Sequence, residues 1–238
     1  MISEGKARFT PRRVVDGRLD KIVATTAEAV AGLKDGDSLM VGGFGEVGVP
    51  FALIEAVLES GARDLEVISN NAGSGHEGVA ALLAEGRVRR IVCSYPKTAG
   101  STVFEELYRA GKIELELTPQ GTLAERIRAG GAGIGAFFTP TGAGTELTRG
   151  KETRVIDGRE QVLEYALRAD MALVRCHRAD RWGNLVYRKT ARNFGAIMAT
   201  AATIVAVEAV EIVPLGALDP ETIVTPGLTV ARVVEIGR

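Results

Sequence analysis

VGGFGEVGVP, residues 41–50, sets the question for this chain. It lies between an apolar run, SLMVGG, and a helix-like run, PFALIEAVLESG. Gly43, Gly45 and Gly48 form a G-x-G-x-x-G in the strand–turn–helix setting that a dinucleotide fingerprint requires. That fingerprint also needs an acid about twenty residues later, at the end of the next strand, to hold ribose hydroxyls. The nearest acid, Glu66, is at the start of its strand. Ser69, Asn70 and Asn71 stand at its end. Pro50 crowds the helix start soon after the third glycine. A Walker A loop fails because no Lys-Ser/Thr follows the glycines. The loop still leaves backbone N–H groups free to meet a ligand at a strand end.

Outward from this loop, short apolar runs alternate with amphipathic ones. Strands are predicted at 38–43, 65–70, 89–95, 113–118 and 136–140. Helices are predicted at 50–59, 77–85, 101–110 and 122–129, the last with Thr122 and Glu125 spaced as a capping box. Repeated β-α pairs argue for an α/β fold: an open, mostly parallel sheet with helices on both faces. The second half reads as an antiparallel hairpin embellishment. Asp157-Gly158 joins runs 152–156 and 159–163 as a two-residue hairpin. ADRWGN joins 171–177 to 185–188, and Trp182 packs that hairpin. A helix (NFGAIMATAA) and two strands (TIVAVEAV, GLTVARVVEI) follow. Residues 21–238 read as one domain, and residues 1–20 as a loosely held, charged N-terminal extension.

The net charge of −1 gives no reason to expect nucleic acid or a membrane surface as partner. No apolar run is long enough to span a bilayer, and residues 1–21 lack the apolar core of a secretory signal. The two cysteines, Cys93 and Cys176, sit in apolar runs and read as buried thiols of a cytoplasmic protein. Two histidines and two distant cysteines offer no metal-ligand spacing, so no metal is expected. His76 falls in a glycine-rich loop. His177, in an apolar strand, reads as a hydrogen-bonded core histidine.

In parallel sheets ligands lie outside the carboxyl ends of the strands. Asn70 and Asn71 follow the second strand, Gln120 follows the fourth, and Thr139–Thr145 follow the fifth. These are neutral donors and acceptors, suited to a carbonyl or carboxylate oxygen and to developing negative charge. No Ser–His or Cys–His nucleophile accompanies them. Glu46 is an available carboxylate in the glycine loop, though a solvated loop residue is the plainer reading. The pattern is that of half a site.

VGGFGEVGVP, ISNNAG, LTPQGTLAERIRAGGAGIGAFFTPTGAGT and YRKTARNF resemble the A (alpha) subunit of class I 3-oxoacid CoA-transferases, over residues 22–236. VRRIVCSYPKTAGSTVFEELYRAGKIELEL, GKETRVIDGR and DRWGNLVYRK are similar to its 3-oxoadipate-using branch. LTPQGTLAERIRAGGAG is shared with the acetoacetate-using, succinyl-CoA:3-ketoacid branch. The resemblance implies transfer of CoA from succinyl-CoA to a 3-oxo acid, with a CoA thioester as substrate and no tightly bound cofactor. It implies an assembly of two A and two B subunits. The nucleophile would be a glutamate in a Ser-Glu-Asn-Gly motif of the B (beta) subunit, and that motif is absent here. Gly42, Gly43, Phe44, Gly45, Glu46, Val47 and Gly48 match the stretch assigned to CoA. Asn70, Asn71 and Gln120 match positions lining the substrate pocket at the subunit interface; as a fixed neutral donor, Gln120 also suits the oxyanion of the reacting carbonyl. A diacid acceptor would need a cation for its distal carboxylate, for which Arg126, Arg188, Lys189 and Arg192 are the candidates. For each of them an ordinary ion pair is the plainer role. Other possibilities are a CoA-dependent hydrolase or lyase, or a sugar-phosphate isomerase, on the same scaffold. A ligand-sensing regulator is another, although no helix-turn-helix pattern is present.

Overall fold

The computed structural model describes residues 14–15, 18–98 and 100–237. Most of the expected extension, residues 1–20, lies outside them. Its described part holds two short antiparallel strands, β1 (Val14–Val15) and β2 (Arg18–Leu19). The next elements are α1 (Thr26–Val30), β3 (Ser38–Val41), α2 (Phe51–Ser60), β4 (Leu65–Ser69), α3 (Val79–Ala84), β5 (Val88–Cys93), α4 (Val103–Arg109), β6 (Glu114–Leu117) and α5 (Gln120–Ala132). The chain continues with β7 (Ala136–Thr139), β8 (Thr153–Ile156), β9 (Arg159–Tyr165), β10 (Ala169–Ala179), β11 (Leu185–Val186), α6 (Gly195–Ala201), β12 (Ala202–Ile212) and β13 (Arg232–Glu235).

The main sheet runs β13-β12-β10-β3-β4-β5-β6, all neighbours parallel, with β11 antiparallel on the end of β10. Alternate residues of each strand serve opposite faces, as the strand period requires. Leu39 and Val41 join one core with α1, α2, α3 and α4. Met40 joins the other, with α5 and α6. Helices therefore cover both faces, as the α/β pattern predicts. β3 and β10 are neighbours, yet the helices leaving them lie on opposite faces, which opens a crevice at their carboxyl ends.

Three local expectations are corrected. Residues 136–140 do not extend the parallel sheet. β7 pairs with β9 in a separate antiparallel sheet, β7-β9-β8, so Thr139–Thr145 do not follow a strand of the main sheet, although Gly142 lies close to Pro119 beyond the end of β6. The hairpin over Asp157 (φ 50°) and Gly158 (φ 71°) supplies β7 with its partner, because both turn residues reach the left-handed region such a turn needs. Residues 171–177 do meet 185–188 through a hairpin, but β10 is chiefly the central parallel strand. Its run Met171–Val174 is buried on both faces, which an alternation test reads poorly. Finally, α5 begins at Gln120 behind Pro119, so Thr122 lies within the helix and its hydroxyl is buried without a partner. Glu125 pairs with Arg128 instead. A capping arrangement does operate at α1, where Thr25 accepts from the Glu28 N–H at 3.1 Å and Glu28 accepts from the Ala24 N–H at 3.0 Å.

Candidate functional site at the carboxyl edge

The glycine loop leaves β3 in the crevice and is fixed from behind by one side chain. Asn193 Oδ1 accepts from the Gly43 N–H at 3.1 Å, and its Nδ2 donates to the Val47 carbonyl at 2.8 Å. Oδ1 also accepts from the Phe194 N–H at 2.7 Å. Phe44 and Val47 exchange backbone hydrogen bonds across the loop tip, 3.0 and 3.1 Å. Gly48 (φ 74°) lies against the 189–193 segment, and a Cβ there would sit 2.4 Å from the Ala191 carbonyl oxygen. Gly43 (φ 127°) would put a Cβ 2.6 Å from Val49. Glycine is required at both places for close approach as well as for backbone conformation. Asn193 stands in YRKTARNF, but its part in the glycine loop could not be read from the sequence, because 145 residues of chain separate it from Gly48.

The start of α2, where a pyrophosphate would sit in a dinucleotide site, is filled by the protein itself. Glu208 of β12, fully buried, accepts from the Leu53 N–H at 3.1 Å and from Arg175 Nη1 at 2.7 Å. Burial raises the Glu208 carboxyl pKa, against the pull of the Leu53 N–H, Arg175 and the Ala52 N–H. A carboxylate already in this position excludes the phosphate that the G-x-G-x-x-G reading requires.

The loop faces the end of β4. Gly42, Gly43, Gly45 and Glu46 form one wall of a small pocket, and Ser69, Asn70, Asn71 and Gly73 form the other. Asn70 Oδ1 accepts from Gln120 Nε2 at 2.8 Å and from the Ser94 hydroxyl at 2.9 Å. Its carbonyl accepts from the Ser94 and Tyr95 N–H groups, each at 3.1 Å. The Asn70 side chain is thereby held with its oxygen satisfied, and its Nδ2 makes no hydrogen bond among the described residues. Asn71 Oδ1 accepts from the Gly73 N–H at 2.9 Å, and Ser69 Oγ donates to the Asn71 carbonyl at 2.5 Å. Both asparagines are buried, whereas Gln120 is exposed and meets the pocket through Asn70. Sequence reasoning named Asn70, Asn71 and Gln120; the fold joins Asn70 to Gln120 and sets Asn71 under the glycine loop. It did not single out Ser94, which lies in the quoted stretch VRRIVCSYPKTAG but carries no signal there of a contact with Asn70.

The other candidates separate. Arg126 is buried and held by Glu116, by Thr118 at 3.3 Å and by the Tyr165 carbonyl at 2.7 Å. Glu164 lies 3.7 Å from it and also pairs with Lys151 at 2.6 Å. Arg126 thus takes the ordinary role and ties the main sheet to the small one. Burial opposes the charge on Glu116, but Arg126 and then Arg90 outweigh it and hold its carboxyl below the ordinary value. Arg188, Lys189 and Arg192 form no ion pair among the described residues. Glu46 is exposed at the pocket rim, as is Glu77, which the sequence did not suggest. His177 is a correction: it is half-buried and lines a cleft rather than the core. Cys93 and Cys176 are free and buried, and burial pushes the Cys93 thiol to about 12 and Cys176 higher. Trp182 is substantially exposed. Among the described residues no cluster of His, Cys, Asp or Glu could hold a metal, and no helix is long and apolar enough to cross a membrane.

A family model described as coenzyme A transferase matches residues 23–236. The chain belongs to the coenzyme A transferase family. It is 59% identical to the A subunit of 3-oxoadipate CoA-transferase from Pseudomonas putida, covering 92% of this chain and 94% of that one. It is 51% identical to the A subunit of succinyl-CoA:3-ketoacid coenzyme A transferase from Xanthomonas campestris pv. campestris, over 93% and 91%. The solved acyl-CoA transferase of Escherichia coli O157:H7 has the same fold, with TM-score 0.82 at 24% identity. That likeness covers 95% of this chain but only 48% of the other, so the chain spans about half of that enzyme.

Proposed function

We propose that this chain is the A subunit of a succinyl-CoA:3-oxo-acid CoA-transferase, with 3-oxoadipate as the acceptor. The observation that carries the reading is the set of fixed neutral donors around Asn70, with both thiols buried and the nearby carboxylates, Glu46 and Glu77, exposed at the rim. Such a set stabilises an oxyanion and leaves a nucleophile to come from elsewhere. A B subunit supplies it as the glutamate of a Ser-Glu-Asn-Gly motif, in an assembly of two A and two B subunits in the cytoplasm. The acceptor assignment rests on the greater identity to the 3-oxoadipate relative.

The chemistry divides accordingly. The partner's glutamate attacks the succinyl-CoA thioester, and CoA thiolate leaves the succinyl carbonyl as an acyl–glutamyl anhydride forms. Thiolate then attacks the glutamyl carbonyl, releasing succinate and leaving an enzyme thioester. The 3-oxo acid repeats these steps in reverse and departs as its CoA ester, so no external oxidant or reductant is needed. Each attack places negative charge on a carbonyl oxygen. Asn70 Nδ2 and the second N–H of Gln120 donate to it, while residues 42–48 seat the thioester end of CoA. Neutral donors fit this task, because a lysine here would pair with the glutamate. Asn71 positions the loop above the acyl group. Expressed alone, the chain should not exchange CoA between succinyl-CoA and 3-oxoadipate. Co-expressed with the B subunit it should, with higher kcat/KM for 3-oxoadipate than for acetoacetate. Exchange by the chain alone would refute the half-site reading, and a preference for acetoacetate would refute the acceptor.

A further inference from the structure

The glycine loop has a second face. Val47 and Gly48 wall an open cleft of about 750 Å³ over the carboxyl ends of β10 and β12. Arg175, His177, Arg188 and Lys189 line it, and no Asp or Glu does. Arg175 is committed to Glu208 at 2.7 Å. Arg188 and Lys189 are exposed and form no ion pair among the described residues. In a chain of net charge −1 this is a local concentration of positive charge, not a general excess.

Distance decides what anion it suits. In the sheet order β12-β10-β3-β4, Asn70 follows β4, and β10 and β12 lie two and three strands away. At about 4.8 Å per strand, the cleft is roughly 10–14 Å across the sheet from Asn70. Arg175 and His177 also stand beyond Leu173, the residue paired with Val41 at the end of β3, which adds several ångströms along the strand. The carboxylates of a 3-oxo diacid are separated by less than two extended residues, about 6 Å. A distal carboxylate held here would draw the reacting carbonyl away from Asn70. The pantetheine arm of CoA, from sulfur to pyrophosphate, is as long as about four extended residues, roughly 14 Å.

We propose that this cleft receives the phosphate groups of the CoA thioester, with Arg188 and Lys189 as the cations. The pantetheine arm crosses the tip of the glycine loop at Gly45, where nothing lies within 4 Å of the Cβ position. An exposed guanidinium fork and an ammonium both suit phosphate oxygens. This inference rests on the CoA-transferase reading and adds to it the seat of the phosphates.

The test is the double variant Arg188→Gln/Lys189→Gln in the assembled A–B enzyme, with glutamine keeping chain length while removing charge. Each lost charged contact is expected to weaken CoA binding about tenfold. KM for succinyl-CoA should rise by about ten- to a hundredfold, while KM for the 3-oxo acid should not. Calorimetry with CoA and with pantetheine, which lacks phosphates, reads the cleft without turnover. The wild type should bind CoA more tightly than pantetheine, and the variant should lose most of that difference. If the difference persists in the variant, or if only KM for the diacid rises, the proposal is overturned. Absence of CoA exchange in a wild-type assembly that still prefers CoA to pantetheine would refute the transferase reading and leave the cleft assignment standing. An unchanged melting temperature separates charge loss from misfolding.

Discussion

Replacing Asn193 with alanine should loosen the glycine loop without unfolding the protein. The side chain makes three hydrogen bonds, to the Gly43 and Phe194 N–H groups and to the Val47 carbonyl. The first two are part-buried and contribute about 1 kcal/mol each; the third is exposed and water replaces it at little cost. The expected loss is about 2 kcal/mol. For a chain of this size that lowers Tm by roughly 4–8 °C. The same 2 kcal/mol raises the population of the locally opened loop by about thirtyfold. Amide exchange at residues 43–48 reads this directly, against helix α5 as an internal control. Turnover with the B subunit should fall further than stability suggests, by about a hundredfold in kcat/KM, because a displacement of about 1 Å at a positioning element is that costly. Asn193→Asp keeps the acceptor for Gly43 but sets a carboxylate against the Val47 carbonyl, so it should rescue exchange protection only in part. Wild-type amide exchange at 43–48 in Asn193→Ala would refute the clamp. So would a Tm loss accompanied by unchanged kcat/KM.

Three further outcomes follow from the same geometry. Asn70→Ala and Gln120→Ala, in the assembled enzyme, should each lower kcat by about ten- to a thousandfold, and the double variant by less than the product, since Gln120 holds Asn70. Strictly multiplicative losses in steady-state rates would argue against the shared hydrogen bond. Folded Glu208 keeps its proton to higher pH than in the unfolded chain. Its contribution to stability is therefore present below the ordinary carboxyl pKa, about 4.3, and declines as pH rises through the raised folded value. Glu208→Gln should gain on the wild type across that window in thermal melts, and a constant gap would contradict it. Glu116 is the opposite case, with its pKa held low by Arg126 and Arg90 against burial. Its stabilisation is present above about pH 4.3 and is lost as pH falls through the depressed folded value. Glu116→Gln should flatten the acid limb of the Tm profile, and an unaltered limb would refute the assigned role.

The local sequence already contained the parallel scaffold. Short β-branched runs such as LEVIS and RIVC, separated by amphipathic segments with glycine stops, leave few alternatives to strand–helix alternation. Asp157-Gly158 likewise specified its hairpin, because only residues tolerant of positive φ make that turn. The neutral character of the strand ends at Asn70, Asn71 and Gln120 was also legible, since side-chain chemistry does not depend on the fold. Which strand lies beside which was not. Residues 136–140 read as one more parallel strand, and nothing in their four or five side chains encodes a partner in β9. β10 hid its central place because a strand buried on both faces has no alternation to display.

The remaining decisions are long-range contacts, and these belong to the assembled fold. Glu208 reaches α2 from a strand 155 positions later, filling the place a pyrophosphate would need. Asn193 clamps a loop 150 positions before it. Arg126 is one of four candidate cations in the sequence, with an ion pair as its plainer role, but its partners are set by the approach of β6 and β9, which surrounds it with Glu116 and Glu164. Residue order was enough to establish the α/β scaffold and the kind of groups at its strand ends. Packing of the sheet settled which of those groups meet, because charge and hydrogen-bonding partners act over a few ångströms of space, whatever their separation along the chain.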